Sequence, residues 1–258
     1  MAKVRLSRSK DYREQLRLYI TLTKPLTAKL RAFNKKYGSL ASNQWETSGR
    51  LNNDYFDEYF QDLYFIFKTH ADSVFQSVSD RFRRTREMKA DREVVPYIQE
   101  YITEQTAQNV TNITESTRKY IASAVAVSVA EGFSQVDTAF AIKKSTGFSD
   151  NRSKLIARTE THQAMNFASF KVANNLLLSE PIKEWGSALD SRTRPWHRDM
   201  AGTRINMDKN FTVFTPIAGG GISERYMNYC GDPNGGASNV INCRCFTLYY
   251  EKDDVVED

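Results

Sequence analysis

Four side chains near the end of the sequence are of types that bind transition metals. They are His197, Cys230, Cys243 and Cys245, and they include all three cysteines of the chain. Three thiolates and one imidazole suit tetrahedral zinc, although two to four residues usually separate paired zinc cysteines. A regular strand would also point the thiols of Cys243 and Cys245 to opposite faces. Zinc binding and packed free thiols are therefore both open, and His162 is an alternative to His197.

A charged segment, Asp190 to Arg194, is a second candidate for chemistry. Its arginines alternate with small residues, so a short turn can place guanidinium groups against Asp190, Glu160 or Glu184. One interpretation is a polar network that fixes the fold of a small domain. The other is a catalytic set, for example a metal-assisted nuclease built on Asp190, His197 and the cysteine-rich end. The chain has three histidines and no second acidic cluster near Asp190, which is too few ligands for a two-metal hydrolase.

Positive charge is concentrated at the start of the chain. Residues 1–40 contain eleven Lys or Arg and two Asp or Glu, whereas the rest of the chain has more acids than bases. Such an asymmetry indicates a polyanionic or acidic partner. The residues predicted to bind double-stranded DNA are Lys3, Arg5, Arg8, Lys10, Arg13 and Arg17.

The first 147 residues have a helical pattern with few breakers. In its strongest part, apolar residues recur at spacings of three, four and seven, which predicts one long amphipathic helix from Leu51 to Met88. Acids lie in its first turns and arginines in its last, as the helix dipole favours. The further predicted helices run from Val94 or Pro96 to Tyr120, from Ile121 to Glu131, from Phe133 to Thr146, and from an N-cap at Ser149 or Asp150 to Leu178.

After Pro181 the pattern changes to short apolar runs that Gly, Pro and Asn interrupt. We expect a long loop from Thr215 to Asn242 and a short helix from Thr193 to Met200. The predicted strands are Ile182–Ala188, Arg204–Asn206, Phe211–Phe214 and Cys245–Tyr250. The fold class is therefore α+β, with a mainly α-helical region of long helices at residues 1–147 and a small α+β domain at residues 148–258.

Several classes of protein are excluded. No apolar stretch approaches the roughly 18–20 residues that a membrane-spanning helix needs, and the basic N-terminus lacks the apolar core of a secretory signal. The segment Ala218–Gly221 lacks the ending of a phosphate-binding loop and the strand-to-helix context of a dinucleotide site. We expect a protein that folds in the cytosol, contacts no membrane and has no cofactor other than the candidate zinc.

An ordered series of residues in the second half resembles a known family. A tryptophan is followed by D-x-R-T-R-x-x-H, then, some 40 to 50 residues later, by G-D-P and N-C-R-C. This order is similar to that of the phage Mu F-like minor head proteins, also called the SPP1-type head morphogenesis family. The residues that carry the resemblance are Arg158, Glu160, Trp185, Asp190, Arg192, Arg194, His197, Asn242, Cys243 and Cys245.

The resemblance implies a structural, non-enzymatic minor head protein of a tailed bacteriophage. Such a protein is present in few copies inside the virion head, associates with the portal protein in the procapsid and aids DNA packaging or ejection. It is in the host cytoplasm during assembly, where scaffold or capsid proteins and DNA are further partners. Residues 1–147 contain no matching motif, so their assignment to portal binding follows from the family's architecture.

Overall fold

The computed structural model describes residues 10–85, 95–176 and 181–251. The described residues divide into two compact units that alternate along the chain. The helical unit consists of Thr23–His70 and Glu100–Arg158. The sheet-bearing unit consists of the described parts of Met1–Leu22, Ala71–Gln99 and Thr159–Asp258. This partition differs from a functional division at residue 147, which stays a prediction.

Long helices dominate the first two thirds of the chain, as predicted. Those helices are α1 (Lys10–Ser48), α2 (Tyr55–Thr85), α3 (Val95–Tyr101), α4 (Ala107–Ala130), α5 (Gln135–Lys144) and α6 (Asp150–Leu176). A π-helical segment, Ile102–Thr106, joins α3 to α4. The expected break between Tyr120 and Ile121 is wrong, because α4 continues through both residues. No Gly or Pro lies there to end it, and small apolar residues follow.

The amphipathic stripe of α2 is confirmed. Its apolar residues at helical spacing, Tyr55, Tyr59, Leu63, Phe67, Val74, Val78 and Phe82, are all buried. Asp57 and Glu58 lie in the first turn, and Arg83 and Arg84 lie in the last, where they complement the helix dipole. The described helix ends at Thr85, so the predicted end at Met88 lies outside the described residues.

The core of the helical unit combines apolar residues from α1, α2, α4, α5 and α6. Phe33 belongs to this core, and its ring centroid is 4.7 Å from those of both Tyr37 and Tyr59. The N-terminus of α6 is capped as predicted, because the Ser149 hydroxyl accepts a hydrogen bond from the Arg152 backbone N–H.

The sheet-bearing unit contains five strands in two sheets. β1 (Pro181–Gly186) is the central strand of an antiparallel sheet, between β2 (Arg204–Asn206) and β5 (Phe246–Glu251). Two short helices complete this region, α7 (Pro195–Asp199) and α8 (Ala237–Val240). These bounds agree with the predicted strands and helix within a few residues at either end, and the α+β fold class is confirmed.

The predicted loop from Thr215 to Asn242 is wrong. β3 (Phe211–Pro216) pairs with β4 (Ile222–Met227) in an antiparallel hairpin, and α8 follows it. The hairpin turn is possible because Gly219, Gly220 and Gly221 have φ values of 90°, 101° and 96°, which only glycine adopts readily. The glycines that suggested a loop are therefore the means of reversing the chain.

Among the described residues, no helix is both long and apolar enough to cross a lipid bilayer.

Candidate metal and motif site

Asp190 organises the turn that leads from β1 to α7. Its Oδ1 accepts hydrogen bonds from the Arg192 backbone N–H at 3.0 Å and from the Thr193 hydroxyl at 3.2 Å. Arg244 binds both of its carboxylate oxygens, with N–O distances of 2.5 Å. These bonds hold the pKa of Asp190 well below its ordinary value, and the Arg244 hydrogen bonds are the main cause.

The partner of Asp190 differs from the expected one. Arg192 reaches Asp190 only at 3.4 Å and is mostly exposed, and Arg194 donates to the Ile241 carbonyl oxygen at 2.6 Å. Arg244 lies between the two cysteines of the N-C-R-C motif, and it was not among the predicted site residues. Its position within a recognised motif was the only signal that could have identified it.

The other motif residues lie at different places. Trp185 is fully buried on β1, with its ring 5.2 Å from that of His197 in an edge contact. Glu184, also buried, accepts a hydrogen bond from Arg204 at 2.6 Å. On α6, Arg158 donates to the Lys154 carbonyl oxygen, and Glu160 is buried.

Asn239 is a buried polar centre that no sequence motif predicts. Its Oδ1 is 2.7 Å from Trp196 Nε1 and 3.0 Å from His197 Nε2. Its Nδ2 donates to the Thr215 hydroxyl and to the Gly235 carbonyl oxygen, both at 2.8 Å. One amide therefore connects α7, β3 and the turn before α8. Nothing in the linear sequence distinguishes this asparagine from the others in the segment.

His197, Cys243 and Cys245 form a buried cluster. Their ligand atoms all lie within 4.8 Å of one another, and His197 Nδ1 is 3.5 Å from Cys243 Sγ and 3.6 Å from Cys245 Sγ. The pKa of Cys243 is lowered, first by a hydrogen bond with Cys245 and then by the imidazoles of His162 and His197. The donor set of one imidazole and two thiols is suited to a soft transition metal.

The predicted fourth ligand, Cys230, does not belong to this cluster of three. Its backbone N–H donates to the Thr247 hydroxyl, and burial raises the pKa of its thiol. His162, the alternative histidine, is fully buried, and its Nε2 lies 2.5 Å from the Cys245 carbonyl oxygen. Among the described residues, its Nδ1 has no hydrogen-bond partner.

The basic N-terminal residues are only partly described. Lys10, Arg13 and Arg17 lie on one exposed face of α1 at helical spacings of three and four. Lys3, Arg5 and Arg8 lie outside the described residues.

Comparison with known proteins gives two matches. The family described as "Phage Mu protein F like protein" matches residues 119–248, which is half of the chain. The "Minor head protein GP7" of Bacillus phage SPP1 is 36% identical over 122 residues. That match covers 46% of this chain and 35% of the relative, so the chain matches about a third of the relative's length. No solved structure shows a significant match.

Proposed function

Because this chain belongs to the phage Mu protein F like family, we propose that it is a minor head protein of a tailed bacteriophage, bound in few copies to the portal protein inside the procapsid. The match over residues 119–248 carries this proposal. The similar relative is named a minor head protein, which supports a role in the virion head rather than in catalysis. In this role the protein aids DNA packaging or ejection and contacts scaffold or capsid proteins during assembly in the host cytoplasm.

Exposed apolar side chains on the helical unit support docking to another head component. They lie at the end of α4, in the following turn and on α5, where Val136 and Phe140 share a face, and they are between 49% and 72% exposed. Large exposed apolar patches of this kind mark interaction sites on soluble proteins. The residues of this apolar surface are Val127, Val129, Phe133, Val136 and Phe140.

Co-expression with the portal, scaffold and capsid proteins of the same phage tests the proposal. Quantitative mass spectrometry of purified procapsids should find a few copies of the chain per particle, and should find none when the portal gene is omitted. Equal incorporation without the portal protein would contradict portal binding, and absence from complete procapsids would contradict the head assignment.

A pair of variants tests the apolar surface. Phe140→Asp adds one negative charge within it, whereas Asn112→Asp adds the same charge at an exposed polar position of α4. We expect at least a tenfold loss of incorporation for Phe140→Asp and normal incorporation for Asn112→Asp. Both variants should show the thermal unfolding of the unchanged protein, because both positions are exposed.

The exposed basic face of α1 favours a second role in binding DNA without sequence preference. Each phosphate that a basic side chain neutralises contributes roughly −0.9 to the slope of log affinity against log salt on duplex DNA. The double variant Arg13→Gln and Arg17→Gln should therefore make this slope shallower by about 1.8. Lys143→Gln with Lys144→Gln, an exposed basic pair on α5, is the control. An affinity that hardly changes with salt would argue against DNA binding.

The geometry of Asp190 favours a structural role over nuclease chemistry. Arg244 binds both carboxylate oxygens, so metal binding there would have to compete with a bidentate ion pair. Incubation of the protein with plasmid DNA and divalent metal ions should leave the plasmid intact. Cleavage that Asp190→Ala abolishes would instead support the enzyme.

A further inference from the structure

We propose that a zinc ion binds within the sheet-bearing unit, ligated by Nδ1 of His197, the thiolates of Cys243 and Cys245, and Nδ1 of His162. This proposal does not depend on the role in the phage head. It rests on the hydrogen bonds that orient the two histidines and on the conformation of the Cys243–Cys245 segment.

The hydrogen bonds of Asn239 determine which nitrogen of His197 carries the proton. The Trp196 indole can only donate, so the Asn239 atom that it contacts is the oxygen. The Gly235 carbonyl can only accept, so the atom on the other side is the amide nitrogen. Because the Asn239 oxygen faces His197 Nε2, that nitrogen must donate. In the neutral imidazole, Nδ1 then carries a lone pair.

The lone pair of His197 faces two sulfur atoms at nearly equal distances. Nδ1 is 3.5 Å from Cys243 Sγ and 3.6 Å from Cys245 Sγ. A tetrahedral zinc ion with its usual bond lengths separates a thiolate sulfur from an imidazole nitrogen by about 3.6 Å. The lone pair of Nδ1 can accept a good hydrogen bond from only one of the two thiols. A metal ion between the three atoms would instead be ligated by Nδ1 and by both sulfurs. The Nε2–H bond to an oxygen is also the usual outer-shell contact of a zinc-bound histidine.

The Cys-x-Cys spacing is compatible with zinc because the segment is not a strand. β5 begins at Phe246, after both cysteines, and Asn242 has a φ of 56°, in the left-handed region. The chain therefore turns at this point, and both thiols reach the same side. The Cys245 backbone N–H also donates to Cys243 Sγ at 3.5 Å, a contact that stabilises a thiolate.

Neither Cys230 nor His162 belongs to the group of three whose ligand atoms lie within 4.8 Å of one another, so a fourth protein ligand must come closer when the ion binds. His162 is the better candidate. Its Nε2 lies 2.5 Å from the Cys245 carbonyl oxygen, which can only accept, and 3.1 Å from Asn166 Nδ2, which also donates to the His162 carbonyl oxygen. The shorter contact places the proton on Nε2, so Nδ1 has the lone pair. That Nδ1 is buried without a hydrogen-bond partner among the described residues, and the His162 imidazole contributes to the lowered pKa of Cys243. A Cβ at Gly231 would lie 2.8 Å from it, so the glycine of the G-D-P motif leaves room for this imidazole.

The zinc ion would cross-link three parts of the sheet-bearing unit: α6 through His162, α7 through His197, and the turn before β5 through the two cysteines. Binding energy of this kind adds directly to folding stability. The apolar cluster here has only seven fully buried members, three of them cysteines.

Elemental analysis of protein purified without chelator tests the proposal. We expect about one zinc per chain, and a loss of more than tenfold in zinc content for Cys243→Ser and Cys245→Ser. Cys230→Ser is the matched control, because Cys230 belongs to the same apolar cluster but not to the ligand set, and it should keep its zinc. Asn239→Ala should weaken zinc binding by about 10- to 100-fold, as expected for the partner that orients a ligand.

Cobalt substitution gives a readout that does not depend on whether the cysteine variants fold. Co²⁺ added to chelator-treated wild-type protein should produce the visible bands of a tetrahedral site and the ultraviolet band of thiolate–cobalt charge transfer. His162→Ala should alter the visible bands, since it changes the ligand set, and Cys230→Ser should not. Near-zero zinc together with no cobalt spectrum would overturn the site. Loss of both the bound zinc and the cobalt spectrum in Cys230→Ser, together with no loss of either in His162→Ala, would overturn the choice of fourth ligand.

Discussion

The helical unit and the sheet-bearing unit are held together by different kinds of contact. In the helical unit, thirteen fully buried apolar residues from long helices pack in one cluster, and buried tyrosines direct their hydroxyls to nearby acceptors, as Tyr55 does to the Tyr37 carbonyl oxygen. In the sheet-bearing unit, the apolar cluster around Trp185 has seven such residues. In this unit, hydrogen bonds from buried polar side chains also hold the segments together.

These polar side chains replace the regular hydrogen bonding that short strands and turns cannot supply. Asp232, for example, is buried and accepts from the backbone N–H groups of Asn228 and Asn234 at 2.7 and 2.9 Å. Asn239 satisfies four groups at once. Buried backbone and side-chain polar groups need such partners. We therefore expect a single polar substitution in the sheet-bearing unit to cost nearly as much as removing a large apolar side chain from the helical unit.

The largest effect is expected for Phe33→Ala. Phe33 is 5% exposed and makes ring contacts with Tyr37 and Tyr59, so the truncation should lower the free energy of unfolding by about 3–5 kcal/mol. Phe65→Ala is the matched control, because Phe65 lies on α2 and is 69% exposed. Urea unfolding gives the free energy, and hydrogen exchange should accelerate mainly in peptides of the helical unit. Equal acceleration throughout the chain would mean that the two units unfold together.

Asn239→Ala should cost about 2–4 kcal/mol. The substitution leaves the half-buried Trp196 indole, the buried His197 imidazole and the Gly235 carbonyl without their partner, and each unsatisfied buried group costs about 1–3 kcal/mol before relaxation. Ser238→Ala, at the exposed neighbouring position, should change stability by less than about 0.5 kcal/mol. Hydrogen exchange should accelerate in the peptides that contain β3 and α8. A cost below about 1 kcal/mol would remove the contrast between the two units.

The helical unit should show a pH dependence from His70. Burial, with the charge of Lys29 as a smaller cause, lowers the pKa of His70 to about 4. The unfolded chain, with an ordinary pKa near 6.5, therefore binds more protons between these values, so stability falls as pH decreases through this window. The loss should reach about 2–3 kcal/mol relative to His70→Gln, which lacks this dependence. Parallel stability curves for the two proteins from pH 7 to pH 4 would contradict the assignment.

Features that repeat along the chain could be predicted from the sequence. The α2 stripe repeats over eight turns, and each buried residue follows from the helical period. The N-cap at Ser149 and strands β1, β2 and β5 also have local signals. The resemblance to the head-protein family was confirmed for the same reason, since it depends on an ordered set of residues rather than on their contacts.

Contacts between distant segments could not be predicted. Nothing local indicates that Asn239 meets Trp196 and His197, or that Arg244 rather than Arg192 binds Asp190. The β3–β4 hairpin was missed because consecutive glycines indicate both loops and tight turns. The two compact units have no local signal, because each combines segments that are far apart in the chain.

The smallest effects test the choice of partner for Asp190. Arg244 is 18% exposed and binds both carboxylate oxygens, whereas Arg192 is 74% exposed and makes one long contact. Because Asp190 itself is 37% exposed, solvent screening reduces the value of the pair. Arg244→Ala should therefore cost about 1–2 kcal/mol, and Arg192→Ala should cost less than about 0.5 kcal/mol.

The pair of Asp190 and Arg244 should also make the stability of the protein depend on pH. The pKa of Asp190 is depressed in the folded protein, so the stabilisation is present above the unfolded value near 3.9 and is lost as pH falls below it. Arg244→Ala should remove this acid-dependent part, and in the background of Asp190→Asn the same substitution should cost much less. Urea unfolding at neutral pH of the wild type, the three single variants and the two double variants measures this coupling for each arginine. A coupling no larger for Arg244 than for Arg192 would mean that the adjacent arginine, as the sequence alone suggests, is the partner in solution.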